Sequence, residues 1–556
     1  MKKRMMTFTL VTVMVFSLVL GGCGKKEGEG SIEKAGTQKP TQSVEPGQPE
    51  SDADGVAGET NEVTYPVEGN GEKLTFWLPI QPPAAKYITS YNEQEVFQEI
   101  SKRTGIEVEF IHPAVGQEKE QLALLMSSGK LPDIIQIREL YEGGATAGID
   151  DGAFLDLTDL IPQYAPDYYK NITSSEMSYR MATNNDSRIC QFDIIKQSAP
   201  AFERINFTDA IIEKYNITEM PVTIEDYEAL FEKFKQDDLP GFAPIETGQV
   251  EQFMWPFGIA PNYFLGEDGK VRWGAAMEEY KDYLTLMNRW YTSGYLYKDF
   301  MSNITPTERR ALFSNLQVGM LIDATDLAKS MAGSAGYKTM PANYPRMSAG
   351  QSIPFSGVTW DALPDGGTMA TVITTSSKNP ELALKYMNYF YTQEGADLAN
   401  WGIKDKSYTV DGSGKKTYTD YMFKNDKIAL GDAQTMLKIH LFAKLAEADV
   451  VCNPNVLVDE EALNLRMLYS DDKTVDNSRV LPRFQLSAEA SVARSNIMRD
   501  ITTYVDEMTL KFITGATPLT EFDNYMAQLK KMNIDEAIEI TQEEYSKFMS
   551  KKMPVD

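Results

Sequence analysis

The chain has 556 residues, 42% hydrophobic and 24% charged, an ordinary globular balance that allows several domains and a large buried core. Its net charge of −26 argues against a nucleic-acid partner, because phosphate binding wants a basic face. Its two histidines, His112 and His440, lie far apart and stand in neither an HExxH nor an HxH context, so a His-based metal site or catalytic triad has almost no material.

Lys2, Lys3 and Arg4 form a cationic start, and Met5 to Leu20 follows without a charge. This is the order of a secretory signal. The apolar run of about 16 residues is short for a membrane span, which needs about 20. Leu20-Gly21-Gly22-Cys23 then resembles the lipobox of bacterial lipoproteins, which implies a signal over 1–22 and a diacylglyceryl group on Cys23. Two acyl chains suffice for stable anchoring. Residues 23–70 hold Gly, Glu, Lys, Ser, Thr, Gln and Pro without an apolar period, and are expected to be a disordered spacer. No later segment has 18 uncharged apolar residues in a row, so no further span is expected. Cys190 and Cys452 could pair in an oxidising compartment, but two free, partly buried thiols is the preferred reading.

Order begins at Lys73. Leu74 to Leu78 reads as a strand ended by Pro79. Val96, Phe97 and Ile100 mark a helical face closed by Thr104-Gly105. Ile106 to Ile111 alternates as a strand, and Leu122, Leu125 and Met126 mark a helix stopped near Gly129. Pro132-Asp133 leads into a third strand, Ile134 to Ile137. The order β-α-β-α-β argues for a parallel, doubly wound sheet, in which ligands bind beyond the carboxyl ends of the strands. Gln136, Arg138 and Tyr141 sit at that end of the third strand. Trp77 closes the first strand.

The run FQEISKRTGIEVEF, then EQLALLMSSGKLPDII, then GAFLDLTDLIPQYAP resembles the opening of the family 1 extracellular solute-binding proteins. These are the sugar-capturing components of ABC importers. YNITEMPVTIEDYEALFEKFK, TVITTSSKNPELALKYMNYFYTQEGADLANWGI and the closing FITGATPLTEFDNYMAQLKKMNIDEAIEI extend the similarity over most of the mature chain, nearest to the oligosaccharide lipoprotein branch. The resemblance implies an α/β, two-lobed fold like that of periplasmic binding proteins. Each lobe would be a mostly parallel sheet flanked by helices, with the ligand cleft between them. The implied division puts 71–195 and 366–410 in the first lobe, and 196–365 and 411–556 in the second. Many relatives carry a calcium-like loop after the helix near 224–236. Here KQDDLPGFAPIE lacks the alternating oxygen ligands, so no metal and no cofactor is expected.

Sugar recognition needs flat aromatic faces and planar polar groups. Trp255 beside Pro256, Trp360 ahead of Pro364-Asp365-Gly366, and Trp401 before Gly402 lie in loop-like or helix-end context and join Trp77 as candidates. Arg138 could bind hydroxyls or pair with a uronate carboxylate. Arg204 lies where the chain enters the second lobe. The expected protein is a monomeric, lipid-anchored, extracytoplasmic binder on the cell membrane, non-catalytic, taking a carbohydrate and meeting ABC permease subunits. A binder of another solute class, or a partner of a membrane sensor, is the alternative reading. A surface glycosidase is more remote, since no nucleophile elbow, metal motif or phosphate loop is present.

Overall fold

The computed structural model describes residues 62–554, apart from 69–70, 197–202, 246, 303, 356–362, 440, 446–453, 458–459, 469–473 and 476. Cys23, the expected signal over 1–22 and most of the expected spacer lie outside the described residues, as do Trp360, His440 and Cys452.

Alternation builds the first sheet. β1 (Lys73–Trp77), α1 (Glu95–Thr104), β2 (Glu107–Ile111), α2 (Glu118–Ser128) and β3 (Ile134–Gln136) follow in that order. β1 lies between β2 and β3 and is parallel to both. Gly105 (φ 71°) and Gly129 (φ 63°) end the two helices in the left-handed region that glycine adopts without steric cost. The returning strand Thr371–Ile373 pairs antiparallel with β3 at the sheet edge. Leu74, Phe76 and Ile134 face one core; Trp77, Ile135 and Ile137 face another, with Leu122 of α2. Both faces are therefore covered, as a parallel sheet requires.

The second core gathers around Trp290. Phe231, Phe242 and Phe253 meet its ring edge-on at 5.2, 6.2 and 4.8 Å, and its Nε1 donates to Glu228 at 2.8 Å. Helix Ile224–Lys235 begins with a capping box: the Thr223 hydroxyl accepts from the Asp226 amide, and the Asp226 carboxylate accepts from the Thr223 amide. The sheet here is antiparallel throughout, with Glu203–Thr208 between Leu321–Ala324 and Thr339–Ala342. That differs from the mostly parallel sheet expected for each lobe. Pairing direction follows the route of the chain between strands, which side-chain alternation does not record.

The two cores divide the chain into lobes. One draws on residues between 74 and 195 and again between 373 and 443, the other on 205–355 and 501–534. Residues 411–445 were expected in the second lobe, and this is a correction. Tyr418, Met422, Ala433, Met436 and Leu437 pack into the first core, because the hairpin Tyr408–Val410/Lys416–Tyr418 folds back over Trp401. Between the lobes, Ile195–Lys196 pairs antiparallel with Leu363–Pro364 and parallel with Lys444–Leu445, so all three passages of the chain run side by side. Helix Ala488–Thr514 extends roughly 40 Å. Ile501, Val505, Phe512 and Ile513 bury its later turns in the second core, while Ala488 at its start approaches Gly143 of the first lobe. Among the described residues no helix is long and apolar enough to cross a membrane.

Candidate functional site

The carboxyl end of β3 opens into a hollow of about 730 Å³ that the start of the long helix closes from the other side. Arg138, Tyr141 and Gln191 line it from the first lobe, Gln485 and Arg494 from the other side. The backbone at Arg138 takes φ 48°, in the left-handed region that few non-glycine residues enter. Its side chain is held from below. Arg138 Nε donates to Gln136 Oε1 at 3.1 Å, and Gln136 Nε2 donates to the Leu441 carbonyl at 2.7 Å. Gln136 is fully buried, so it orients Arg138 rather than reaching the hollow. Tyr141 packs on Phe154 and donates to Asp151 Oδ2 at 2.8 Å; burial first, then the Asp151 carboxylate, push its hydroxyl up to about 12.

A second hollow, of about 390 Å³, lies in the second lobe. Glu203, Glu251, Gln252, Trp255, Tyr263 and Tyr344 are among its walls. The two hollows are neighbours: the Arg494 guanidinium of the first lies 5.4 Å over the Tyr263 ring of the second. Trp255 meets Tyr344 edge-on at 4.8 Å. Arg204, 2% exposed, stacks 4.8 Å from the Tyr344 centroid and supports that ring from behind. It was expected to touch ligand, but it lies under the wall rather than in it. Burial raises the carboxyl pKa of both Glu203 and Glu251; Asp323 adds to the first and Glu203 to the second. Two carboxyl groups beside aromatic faces supply acceptors for a hydroxyl-rich ligand.

Trp255 is itself 5% exposed and packs in the second core, with its edge in the second hollow, whereas two other predicted aromatics line neither hollow. Trp77 is 3% exposed and faces α2, because its strand parity turns it away from the face of Phe76. Trp401 is 4% exposed and lies against Tyr418 at 4.8 Å. His112 serves structure: its Nδ1 sits 2.7 Å from the Leu78 carbonyl, and its Nε2 accepts from the Tyr91 amide. Cys190 is a free, fully buried thiol, pushed up to about 12 chiefly by burial. Sequence reasoning missed Arg494, Gln485, Tyr344, Glu203 and Glu251. Each reaches the cleft from a segment remote from β3, and none stands in a recognisable motif.

A family model described as bacterial extracellular solute-binding protein matches residues 86–397. The chain is 23% identical over 530 residues to the fructooligosaccharide ABC transporter substrate-binding protein FusA of Streptococcus pneumoniae, covering 88% of this chain and 93% of that one. It is 21% identical over 502 residues to the polygalacturonan/rhamnogalacturonan-binding protein YtcQ of Bacillus subtilis, covering 86% and 90%. In fold it is similar to an HMO-binding, ABC-transporter-associated solute-binding protein from Bifidobacterium longum infantis, with a TM-score of 0.68 at 16% identity over 87% of this chain and all of that one. The architecture is the two-lobed one of periplasmic binding proteins.

Proposed function

Since the chain belongs to the bacterial extracellular solute-binding proteins, we propose that it captures an oligosaccharide between its lobes and delivers it to an ABC importer, without changing it chemically. The observation that carries this reading is the pair of adjoining hollows, one walled by Trp255, Tyr263 and Tyr344, the other by Arg138, Gln191 and Arg494. Aromatic faces take the C–H side of pyranose rings, and planar donors and carboxyls take the hydroxyls. The relatives named for fructooligosaccharide and for polygalacturonan support the same class. The lobes meet through short crossing strands, so closure is a hinge motion that ligand favours through contacts made only when closed.

Isothermal calorimetry against an oligosaccharide panel tests the reading. Saturable binding of a sugar that is recovered intact supports it. Silence across sugars together with binding of peptides or metals sinks it, and so does hydrolysis of a labelled glycan. Trp255→Ala is expected to weaken sugar binding by about tenfold or more through lost stacking. Unchanged affinity in that variant would place the sugar elsewhere.

The same proposal assigns Cys23 as the lipid-bearing residue and the following spacer as a tether at the outer face of the membrane. A tether raises the effective concentration of the binder near its importer. Cys23→Ala is expected to move the protein from the membrane fraction to the medium, or to leave it misprocessed, with ligand affinity unchanged. Fractionation and calorimetry on the same preparation check both halves.

A further inference from the structure

The hollow at the end of β3 is unlike the chain around it. The whole protein carries 54 cationic and 80 acidic side chains. The lining of this hollow holds four cations, Lys119, Arg138, Arg494 and Arg499, against two carboxylates, Glu139 and Glu142. Both of those glutamates are exposed, as are Lys119 and Arg499, the last paired with Asp500, so the less exposed part of the lining carries the two guanidiniums of Arg138 and Arg494 and no carboxylate. A protein with strong overall negative charge repels anions at long range, so a local excess of cations calls for a local reason.

The donors are also left over from the fold. Arg138 Nη2 is buried without a hydrogen-bond partner, and so is Gln485 Nε2 on the opposite wall. Both atoms can only donate. Leaving a buried donor unsatisfied is costly, more so on a charged group. Yet Arg138 is not loosely placed: Gln136 fixes its Nε, and Leu441 fixes Gln136. Arg494 is fixed in turn by stacking on Tyr263. Burial lowers the pKa of both guanidiniums, so each is in surroundings that do not favour bare charge. An oriented guanidinium fork without an acceptor matches a planar anion with two oxygens.

We infer that the saccharide taken by this cleft carries a carboxylate, seated against Arg138 and Arg494, while its neutral rings lie toward Trp255 and Tyr344. The inference rests on the saccharide-binding reading above and narrows it to acidic oligosaccharides. It also gives the bound chain a direction. The acidic unit takes the end of the cleft at β3, and the aromatic hollow holds uncharged rings beside Glu203 and Glu251, where a second carboxylate would be repelled.

The test uses the full chain in detergent and matched probes: short oligomers of galacturonate, mannuronate and glucuronate, their methyl esters, and their neutral parent sugars. Calorimetry is expected to show at least one free acid binding about 10- to 100-fold more tightly than its ester, with an affinity that falls as salt rises. Arg138→Gln and Arg494→Gln should each erase most of that preference, weakening the acid at least about tenfold more than its ester, since the ester loses only neutral hydrogen bonds. Arg494 lies on a partly exposed helical turn, so its variant keeps the test open if Arg138→Gln fails to fold. Neutral sugars bound as tightly as, or more tightly than, the acids would overturn the carboxylate and leave the solute-binding proposal standing. Binding of no saccharide of either kind would overturn both.

Discussion

Replacing Lys551 by Met is expected to lower the unfolding free energy by about 3–5 kcal/mol. Lys551 stands just past the last long helix, Ile534–Ser550, and is 5% exposed. Its Nζ donates to the carbonyls of Arg180, Thr183 (2.6 Å) and Asn184 (3.2 Å), and to the Thr183 hydroxyl (3.2 Å). These acceptors close helix Glu176–Ala182, whose final carbonyls have no partner of their own within the helix. Burial first, then the nearby Arg180, push the Lys551 ammonium down to about 7, so below that pH a cation also meets the negative pole of the helix. In return Arg180 Nε donates to the Lys551 carbonyl at 3.0 Å. Met keeps the length and the apolar stem, so packing is nearly conserved and the loss is one of donors. A urea midpoint that matches the parent would show that water reaches those carbonyls. The same clamp ties the C-terminal helix of the second lobe to a helix of the first. The variant should therefore also change interlobe geometry, readable as a changed radius of gyration in X-ray scattering.

Much of the first lobe was legible because its signals are local. Alternation in β1 and β2, the apolar face of α1 and the stops at Gly105 and Gly129 each act within a few residues. The placement of Arg138 followed from a rule about strand ends and needed no distant partner. Trp77 went astray because a strand-end residue alternates like any other. Being last in the strand said nothing of which face it took, and both faces turned out to be covered. Trp401 and the segment 411–445 depended on a hairpin that folds back on the preceding helix, which no periodicity records. The other half of the cleft was illegible for a further reason. Arg494 lies more than 350 positions beyond Arg138, on a helix whose apolar residues from Ile497 onward gave a clear face. Its polar early turns carried no signal, because a polar helical turn reads as ordinary solvated surface.

Asp193→Asn is expected to change how stability depends on pH. Asp193 is fully buried and Asp365 is 5% exposed, and the two carboxyls interact beside the crossing strands. Burial raises the pKa of both, that of Asp193 well above the usual carboxylate range, with Asp365 adding to it. Lys196 opposes this at Asp365, while Tyr168 and Tyr391 surround Asp193 without supplying charge. Gln191 Nε2 donates to Asp193 Oδ1 at 2.8 Å. Asp365 Oδ1 is buried without a hydrogen-bond partner, an environment that favours the protonated form of the pair. An unfolded aspartate titrates near 3.9. Above that pH the folded pair holds at least one proton that the unfolded chain has released. The stabilisation is complete below about pH 4 and is lost as pH rises toward the folded value, by about 1.4 kcal/mol per pH unit for one proton. Asn keeps the shape and a donor toward Asp365 but has no proton to lose. From about pH 4 up to the folded value, unfolding free energy of the variant minus that of the parent should therefore climb with that slope. Differences that stay constant with pH would mean the pair is already ionised in the folded protein. The effect lies on the strands that join the lobes, and Gln191 carries it to the wall of the cleft, so ligand affinity at neutral pH should respond to the same substitution.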